Sequence, residues 1–271
     1  FRWFVGLGMD DAVWDRTVFS INRDRLLDDD IARAFFCRVL HLAEWQGFVS
    51  DEHFSVDGTM IEAWASHKSF VPKDGSGPDK PAGRNPERNF KGEKRSNATH
   101  HSTTDPQARL YKKGEFTEAK LRYMTHALSE NRNGLVVDVE STQATGRAEW
   151  EAAIRMVDRS VRKPGATIGA DKGYDTAEFV GELERRGIRA HVARKVTGSA
   201  VDGRTARGKG YAMSLRCRKM IEEAFGWIKT VGGLRKTRHK GLEKLSGQAL
   251  FAFAAYNLTR LLNLMRQAAT A

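Results

Sequence analysis

The chain has 271 residues, of which 40% are hydrophobic, and a formal net charge of +11 at pH 7. This length allows one large domain or two modest ones with a sizeable core. No apolar run approaches the roughly 20 residues of a membrane-spanning helix, so we expect no membrane partner. The first residue is Phe1, and we expect a fragment or processed chain whose true start is missing.

The basic residues are concentrated in one part of the chain. Residues 189–240 carry fourteen Lys or Arg and three Asp or Glu, whereas residues 1–57 carry six and eleven. Such a long and lopsided block is more typical of polyanion binding than of a solvated face. The two cysteines, Cys37 and Cys217, are predicted to be buried free thiols, as in a reducing cytoplasm.

The first half of the chain is predicted to be helical and then irregular. Asp28 or Asp29 can cap a helix whose apolar positions run from Ile31 to Leu42 at helical spacing, and Gly47 ends it. A short strand at 54–57 carries Asp57 at its end. Residues 66–117 contain five of the six prolines, with eleven basic and six acidic residues, and are predicted to form a long loop or insertion.

The second half alternates strands and helices. Strands at 120–128 and 135–141 are joined by a hairpin turn at Asn133-Gly134. A helix at 148–159, a strand at 167–170, a helix at 176–186 and a strand at 188–193 follow. A helix capped by Ser214 ends at Gly232-Gly233, and a final helix spans 250–265. This order predicts an α/β fold, a mixed sheet flanked by helices, with a helical N-terminal region and a C-terminal helix. His126, in the strand at 120–128, is interpreted as a structural residue.

Three acids stand out: Asp57 and Asp171, which follow short apolar strands, and Glu222 on a helix. On a helical projection Glu222 is aligned with Arg218 and Lys229 beside the apolar stripe, whereas Glu223 lies about 100° further round and should face solvent. Brought together, the three carboxylates would repel one another unless cations lay between them. This pattern predicts a site for hard divalent metal ions, and its basic surroundings indicate a substrate that carries phosphates. Taken singly, each acid also fits an ordinary turn, loop or surface ion pair.

Three blocks of sequence resemble the bacterial insertion-sequence DDE transposases of the insertion sequence five group. They are Phe-Ser-Val-Asp-Gly-Thr at 54–59, Gly-Ala-Asp-Lys-Gly-Tyr-Asp at 169–175, and Arg218-x3-Glu222-x6-Lys229 followed by Gly-Gly-Leu-Arg at 232–235. The resemblance covers nearly the whole chain. One position departs from the family pattern: Leu215 stands where a tyrosine is common, which removes one potential DNA contact.

The resemblance implies a ribonuclease-H-like catalytic domain at 51–240, between a truncated helical region at 1–50 and a C-terminal helix at 241–271. It implies that Asp57, Asp171 and Glu222 are the catalytic acids and that they hold two Mg²⁺ ions, for which Mn²⁺ can substitute. Double-stranded DNA, as element ends and target, is the implied partner of a homodimer acting at the nucleoid in the cytoplasm. Arg218 and Lys229 match basic residues that contact DNA in relatives.

The basic segment that follows Gly233 is expected to contact phosphates, through Arg235, Lys236, Arg238 and Lys240. Two other functions remain open on the sequence. One is a metal-dependent DNA nuclease of the same fold, which cuts but does not join. The other is an inactive, truncated relic that still binds DNA.

Overall fold

The computed structural model describes residues 6–27, 29–75, 95–112, 114 and 117–270. Its strands are β1 (His53–Glu62), β2 (Phe70–Pro72), β3 (His100–Ser102), β4 (Arg109–Tyr111), β5 (Lys120–Glu130), β6 (Val136–Gln143), β7 (Thr167–Ala170) and β8 (Arg189–Val192). Its helices are α1 (Arg16–Leu26), α2 (Asp29–Trp45), α3 (Ala148–Ser160), α4 (Ala177–Arg185), α5 (Gly203–Ala206), α6 (Lys209–Cys217), α7 (Met220–Thr230) and α8 (Leu242–Thr270). None of these helices combines the length and the apolar character needed to cross a bilayer.

The main sheet is mixed, with the strand order β4-β5-β1-β7-β8, and β6 pairs with β5 further along that strand. β1 runs antiparallel to β5 and parallel to β7, which is itself parallel to β8. β5 is therefore antiparallel to the other four strands of the set β6, β5, β1, β7 and β8. This arrangement confirms the predicted α/β, ribonuclease-H-like fold with its helical N-terminal region and C-terminal helix.

Two hydrophobic cores lie on opposite faces of the sheet. One contains Phe36 of α2, Phe225 of α7 and Phe253 of α8. The other contains Val157 of α3 and Phe179 of α4. Side chains alternate between the faces of a strand, so β1 sends Val56 to the second core and Ile61 to the first. The sheet is thus covered on both faces, and its strand ends are held in fixed positions.

Most of the predicted elements of the second half are confirmed. β7 has the predicted bounds, α3 is one residue longer than predicted, and Thr176 caps α4 by accepting a hydrogen bond from the Phe179 N–H. The β5–β6 hairpin turns at Gly134, whose φ of +71° is readily adopted by glycine. The final helix is longer than predicted, with 29 residues.

The prediction that β1 ends at Asp57 is wrong. The strand has ten residues because its antiparallel pairing with β5 continues from Phe54↔Glu130 to Glu62↔Arg122. Its pairing with β7, in contrast, stops at Ser55↔Gly169. Asp57 therefore lies in mid-strand, at the point where one edge of β1 becomes open.

Ser214 does not cap the helix that carries Glu222. It lies inside α6, where it is buried and its hydroxyl is 2.7 Å from Nδ1 of His191. The chain turns at Arg218, between α6 and α7, so Glu222 falls in the first turn of α7. A serine at a helical position was mistaken for a cap because two helices follow each other almost without a break.

The N-terminal region is helical as predicted, and α2 is followed by Gly47 with a φ of +73°. Its buried face, however, is formed by Ala32, Phe36, Val39 and Ala43, whereas Ile31 and Phe35 are 40% and 42% exposed. Both cysteines are free thiols, but the prediction that they are buried is wrong: Cys37 is exposed and Cys217 is half-buried.

The segment predicted as a long loop contains ordered strands in its described parts. β2 pairs with β3 in a small antiparallel sheet, and β4 adds to the edge of β5. Residues 76–94, which include much of the predicted basic insertion, lie outside the described residues.

Candidate active site

Two of the predicted acids lie level with each other on neighbouring parallel strands, Asp57 in the middle of β1 and Asp171 just after β7. The pairing of β1 with β7 ends at Ser55↔Gly169, and the same register continued by two residues brings Asp57 level with Asp171. Asp171 is the first residue after β7, and its Oδ1 accepts a hydrogen bond from the Gly173 N–H at 2.7 Å. Ligands of α/β proteins gather at this end of parallel strands.

The third acid approaches from a helix and is linked to Asp57 through Arg218. The Arg218 guanidinium is 3.6 Å from Oδ2 of Asp57 and 3.9 Å from Oε1 of Glu222. Its side chain is only 18% exposed, whereas that of Glu222 is 62% exposed. One partly buried cation thus faces an acid of the sheet and an acid of α7.

The acids influence one another electrostatically. Burial raises the pKa of Asp57 to about 6, and the negative charges of Asp171 and Glu222 act in the same direction. A hydrogen bond from the Gly58 N–H and the positive charge of Arg218 oppose this rise. Burial is the largest of these causes, because the charged form of a carboxyl loses hydration when it is enclosed.

The donor groups are those that suit a hard divalent cation. Carboxylate oxygens are the preferred protein ligands of Mg²⁺, and binding would relieve the repulsion that raises the pKa of Asp57. Within the described part of the chain, however, no three acidic, His or Cys side chains already stand at metal-binding distances. The residues fit a cation in type, and binding one requires side chains, including Arg218, to rearrange.

The comparison of the chain with protein families agrees with this geometry. The model of a family described as a transposase DDE domain matches residues 50–258, from just before β1 into α8. The chain belongs to the transposase DDE domain family.

Solved structures give more distant similarities to this DDE domain. A piggyBac transposase synaptic complex with hairpin DNA is 7% identical with a TM-score of 0.40, over 82% of this chain and 52% of that one. The Mos1 strand transfer complex is 8% identical with a TM-score of 0.25, over 97% and 67% of the two chains. The Mos1 mariner paired-end complex with Mn is 10% identical with a TM-score of 0.25, over 95% and 67%. The chain spans about half the length of the piggyBac transposase, and none of these likenesses assigns individual residues.

The predicted DNA-binding segment of the DDE domain is attached to the far end of β1. Lys236 forms a parallel bridge with Glu62, whose N–H donates to the Arg235 carbonyl at 3.2 Å. The Thr237 N–H donates to the Glu62 carbonyl at 2.9 Å, and Thr237 is fully buried. The predicted cations on either side are exposed: Arg235, Lys236, Arg238 and Lys240.

Lys236 and Lys229 have different surroundings. The Lys236 ammonium lies 5.1 Å from the ring centroid of Trp64, over a half-exposed aromatic face. Lys229 is in the last turn of α7 and is half-buried. The predicted DNA-binding residues therefore do not form one uniform surface, since Arg218 lies among the acids.

Glu222 and Glu223 differ in direction, not in exposure. Both side chains are 62% exposed, so the expectation that Glu223 faces solvent is met by Glu222 as well. Glu222 faces Arg218, whereas Glu223 lies 3.8 Å from Arg260 of α8. The direction of the nearest cation therefore separates the two residues.

One acid near the site was not found in the sequence. Glu149, in the first turn of α3, has its pKa raised to about 7 by burial and then by the charges of Asp57 and Asp171. An acid in the first turn of a helix is common because it complements the helix dipole. The sequence pattern therefore gave no signal that this carboxylate belongs near Asp57.

Proposed function

We propose that this chain is a DNA transposase of the bacterial insertion sequence five group. It cleaves DNA at the ends of its element, and the freed 3′ hydroxyl then attacks target DNA. The observation that carries the proposal is the level position of Asp57 and Asp171 on parallel strands, with Glu222 facing the same arginine as Asp57. Its partner is double-stranded DNA, bound by a homodimer at the nucleoid in the cytoplasm.

Asp57, Asp171 and Glu222 are the residues that would hold two Mg²⁺ ions, or Mn²⁺ in their place. When bound, such ions supply activation of the attacking oxygen and neutralisation of charge on the leaving oxygen. The protein's own contribution is position: β1 and β7 fix two carboxylates, and α7 carries the third. Positioning and charge neutralisation account for most of the acceleration in displacement at phosphorus.

The basic side chains of the segment after α7 hold the DNA beside these acids. Arg235, Lys236, Arg238 and Lys240 are exposed cations on a backbone that is hydrogen-bonded to Glu62. A phosphate backbone bound along them would run from the end of β1 towards Asp57. Arg218 would neutralise either a phosphate or the acids that it faces.

The test is cleavage of a labelled element end in the presence of Mg²⁺ by the parent protein and by single alanine variants. Asp57→Ala, Asp171→Ala and Glu222→Ala should each abolish cleavage while DNA binding and the unfolding transition are retained. Glu223→Ala is the matched control, because Glu223 is the adjacent residue of α7 and is equally exposed. Loss of cleavage with Glu223→Ala and retention with Glu222→Ala would contradict the assignment of the third acid.

A pre-cleaved element end separates transposition from simple cutting. A transposase joins its 3′ hydroxyl to a target plasmid, whereas a nuclease of the same fold releases fragments without joined products. Absence of all products, with DNA binding retained, would identify an inactive DNA-binding relic and contradict the proposal.

A further inference from the structure

Glu149 reaches the strand that carries Asp57 because residue 58 has no side chain. A Cβ atom built on Gly58 would lie 3.3 Å from Oε1 of Glu149 and 2.9 Å from Nδ1 of His126. The Glu149 carboxylate and the His126 ring therefore converge on one side of Gly58. Any larger residue there would have to displace one of them.

Asp57, at the open edge of β1, also contacts Gly58. Its Oδ1 accepts a hydrogen bond from the Gly58 N–H at 2.8 Å, which draws the carboxylate against residue 58. β7 pairs with β1 only as far as Ser55, so it does not shield this edge at Gly58. Two carboxylates thus lie against Gly58: Glu149 where the Cβ of residue 58 would be, and Asp57 at its N–H.

Buried polar atoms without a partner surround this position. Nδ1 of His126 has no hydrogen-bond partner among the described residues, although the residue is fully buried and Nε2 lies 2.8 Å from the Thr142 hydroxyl. The Tyr174 hydroxyl is likewise buried and unpaired among those residues, and its pKa is raised by burial and then by the charges of Asp57, Glu149 and Asp171. Buried polar atoms in native proteins are nearly always paired with protein, water or an ion, so each of these two atoms is open to a water molecule, an ion or another ligand.

No cation among the described residues offsets the charge of Glu149: burial, Asp57 and Asp171 all raise its pKa. Arg218, the cation that faces Asp57, is paired with Glu222 on the α7 side. A half-buried carboxylate in this position gains most from a positive ligand at the open edge.

We propose that Glu149 is a fourth acidic ligand of the divalent-cation site, acting beside Asp57, and that Gly58 provides the gap through which it reaches the site. The assignment rests on the proposed function, since it concerns the same cations. It adds to the three acids of the family pattern a residue on α3, which precedes the second acid in the chain.

The test measures Mn²⁺ binding to the full chain by isothermal titration calorimetry, without DNA, in the parent protein and in E149Q, E151Q and D57N. Glu149→Gln keeps the size of the side chain and removes its charge. We expect its Mn²⁺ affinity to fall at least about tenfold. Glu151→Gln, in the same turn of α3, should bind as the parent does. The unfolding midpoint of E149Q without Mn²⁺ should equal or exceed that of the parent, because a desolvated negative charge is removed.

The outcomes separate this inference from the proposed function. Loss of Mn²⁺ affinity in both D57N and E149Q supports both. If D57N loses Mn²⁺ affinity while E149Q and E151Q bind Mn²⁺ equally well, the role of Glu149 is overturned and the proposed site stands. Unchanged affinity in D57N, or no Mn²⁺ binding by the parent, would overturn the proposed site and this assignment with it.

Discussion

Two interactions are open to Arg218, one with DNA and one with the acids. The family resemblance predicts a DNA contact for this arginine, whereas its guanidinium faces Asp57 and Glu222 and is only 18% exposed. Its positive charge opposes the rise in the pKa of Asp57 that burial causes. A DNA phosphate that bound Arg218 would compete with Asp57 for the same group. DNA bound there would therefore change the electrostatic surroundings of Asp57.

His126 should make the stability of the protein depend on pH. Burial lowers the pKa of this fully buried histidine to about 3, below the ordinary value of 6.5 that applies in the unfolded chain. The unfolded state therefore binds a proton first as the pH falls, so stability is lost from about pH 6.5 towards pH 3. His126→Gln should show a smaller loss of unfolding free energy between pH 7 and pH 4, measured by urea denaturation.

His41→Gln is the control for this comparison, because His41 is 74% exposed on α2. The raised pKa values of Asp57 and Glu149 act in the opposite direction, since their contribution to stability falls as the pH rises. The difference between variant and parent isolates the histidine. Parallel pH profiles for His126→Gln and the parent would show that residue 126 is not held neutral by burial.

At the scale of elements, the crossing of α8 over the end of α1 depends on one glycine. A Cβ atom on Gly247, inside α8, would collide with the carbonyl oxygen of Leu27. Backbone cannot move aside as the end of a flexible side chain can. Gly247→Ala should therefore lower the free energy of unfolding by about 1–3 kcal/mol, the usual cost of overpacking, measured by chemical denaturation.

Gly181→Ala in α4 is the matched substitution. Apart from its chain neighbours and the backbone of its own helix, no atom of the described residues lies within 4 Å of the position that its Cβ would take, so alanine should stabilise the helix by up to about 1 kcal/mol. Equal effects of the two substitutions would mean that the packing of α8 against Leu27 is looser than the structure indicates.

Elements with strong local signals could be predicted, and those defined by tertiary contacts could not. β7 was predicted to the residue because it is a short apolar run between Gly165 and Asp171. β1 was predicted too short because its second half, from Gly58, depends on pairing with β5 rather than on an apolar pattern. Ser214 was mistaken for a cap because its real partner, His191, is distant in sequence.

At the scale of the whole molecule, the basic segment predicts how binding to DNA responds to salt. Neutralising one phosphate contact reduces the slope of log K against log salt concentration by about one. Arg238→Gln should therefore flatten this slope by about one and weaken binding similarly across DNA sequences. Fluorescence anisotropy with labelled duplexes at several salt concentrations measures both effects.

Lys163→Gln removes the same charge at the opposite end of β1. Lys163 pairs with Glu52, which precedes the strand, at 2.8 Å, whereas the basic segment pairs with Glu62 at its end. The slope for Lys163→Gln should equal that of the parent. An unchanged slope for Arg238→Gln would remove that residue from the DNA interface.

The candidate site was predictable as far as its acids follow recognisable strands and helices. Asp57, Asp171 and Glu222 could be proposed from three separate blocks, and the register of β1 with β7 brings the first two level with each other. Glu149 could not, since its approach depends on the missing side chain of Gly58. The four-residue spacing of Arg218 and Glu222 was predictable, but the contact of Arg218 with Asp57 was not, because the two residues are distant in sequence.

The bridge between Glu62 and Lys236 fixes the distance along β1 between the basic segment and Asp57. Glu62 lies five residues after Asp57, and at about 3.3 Å per residue this distance is about 17 Å. This length corresponds to about five base pairs of DNA, at about 3.4 Å each. If the basic segment binds DNA phosphates and the acids cleave the strand, β1 fixes the distance along the double helix between the bound phosphates and the cleaved bond. That distance is independent of the nucleotides in between.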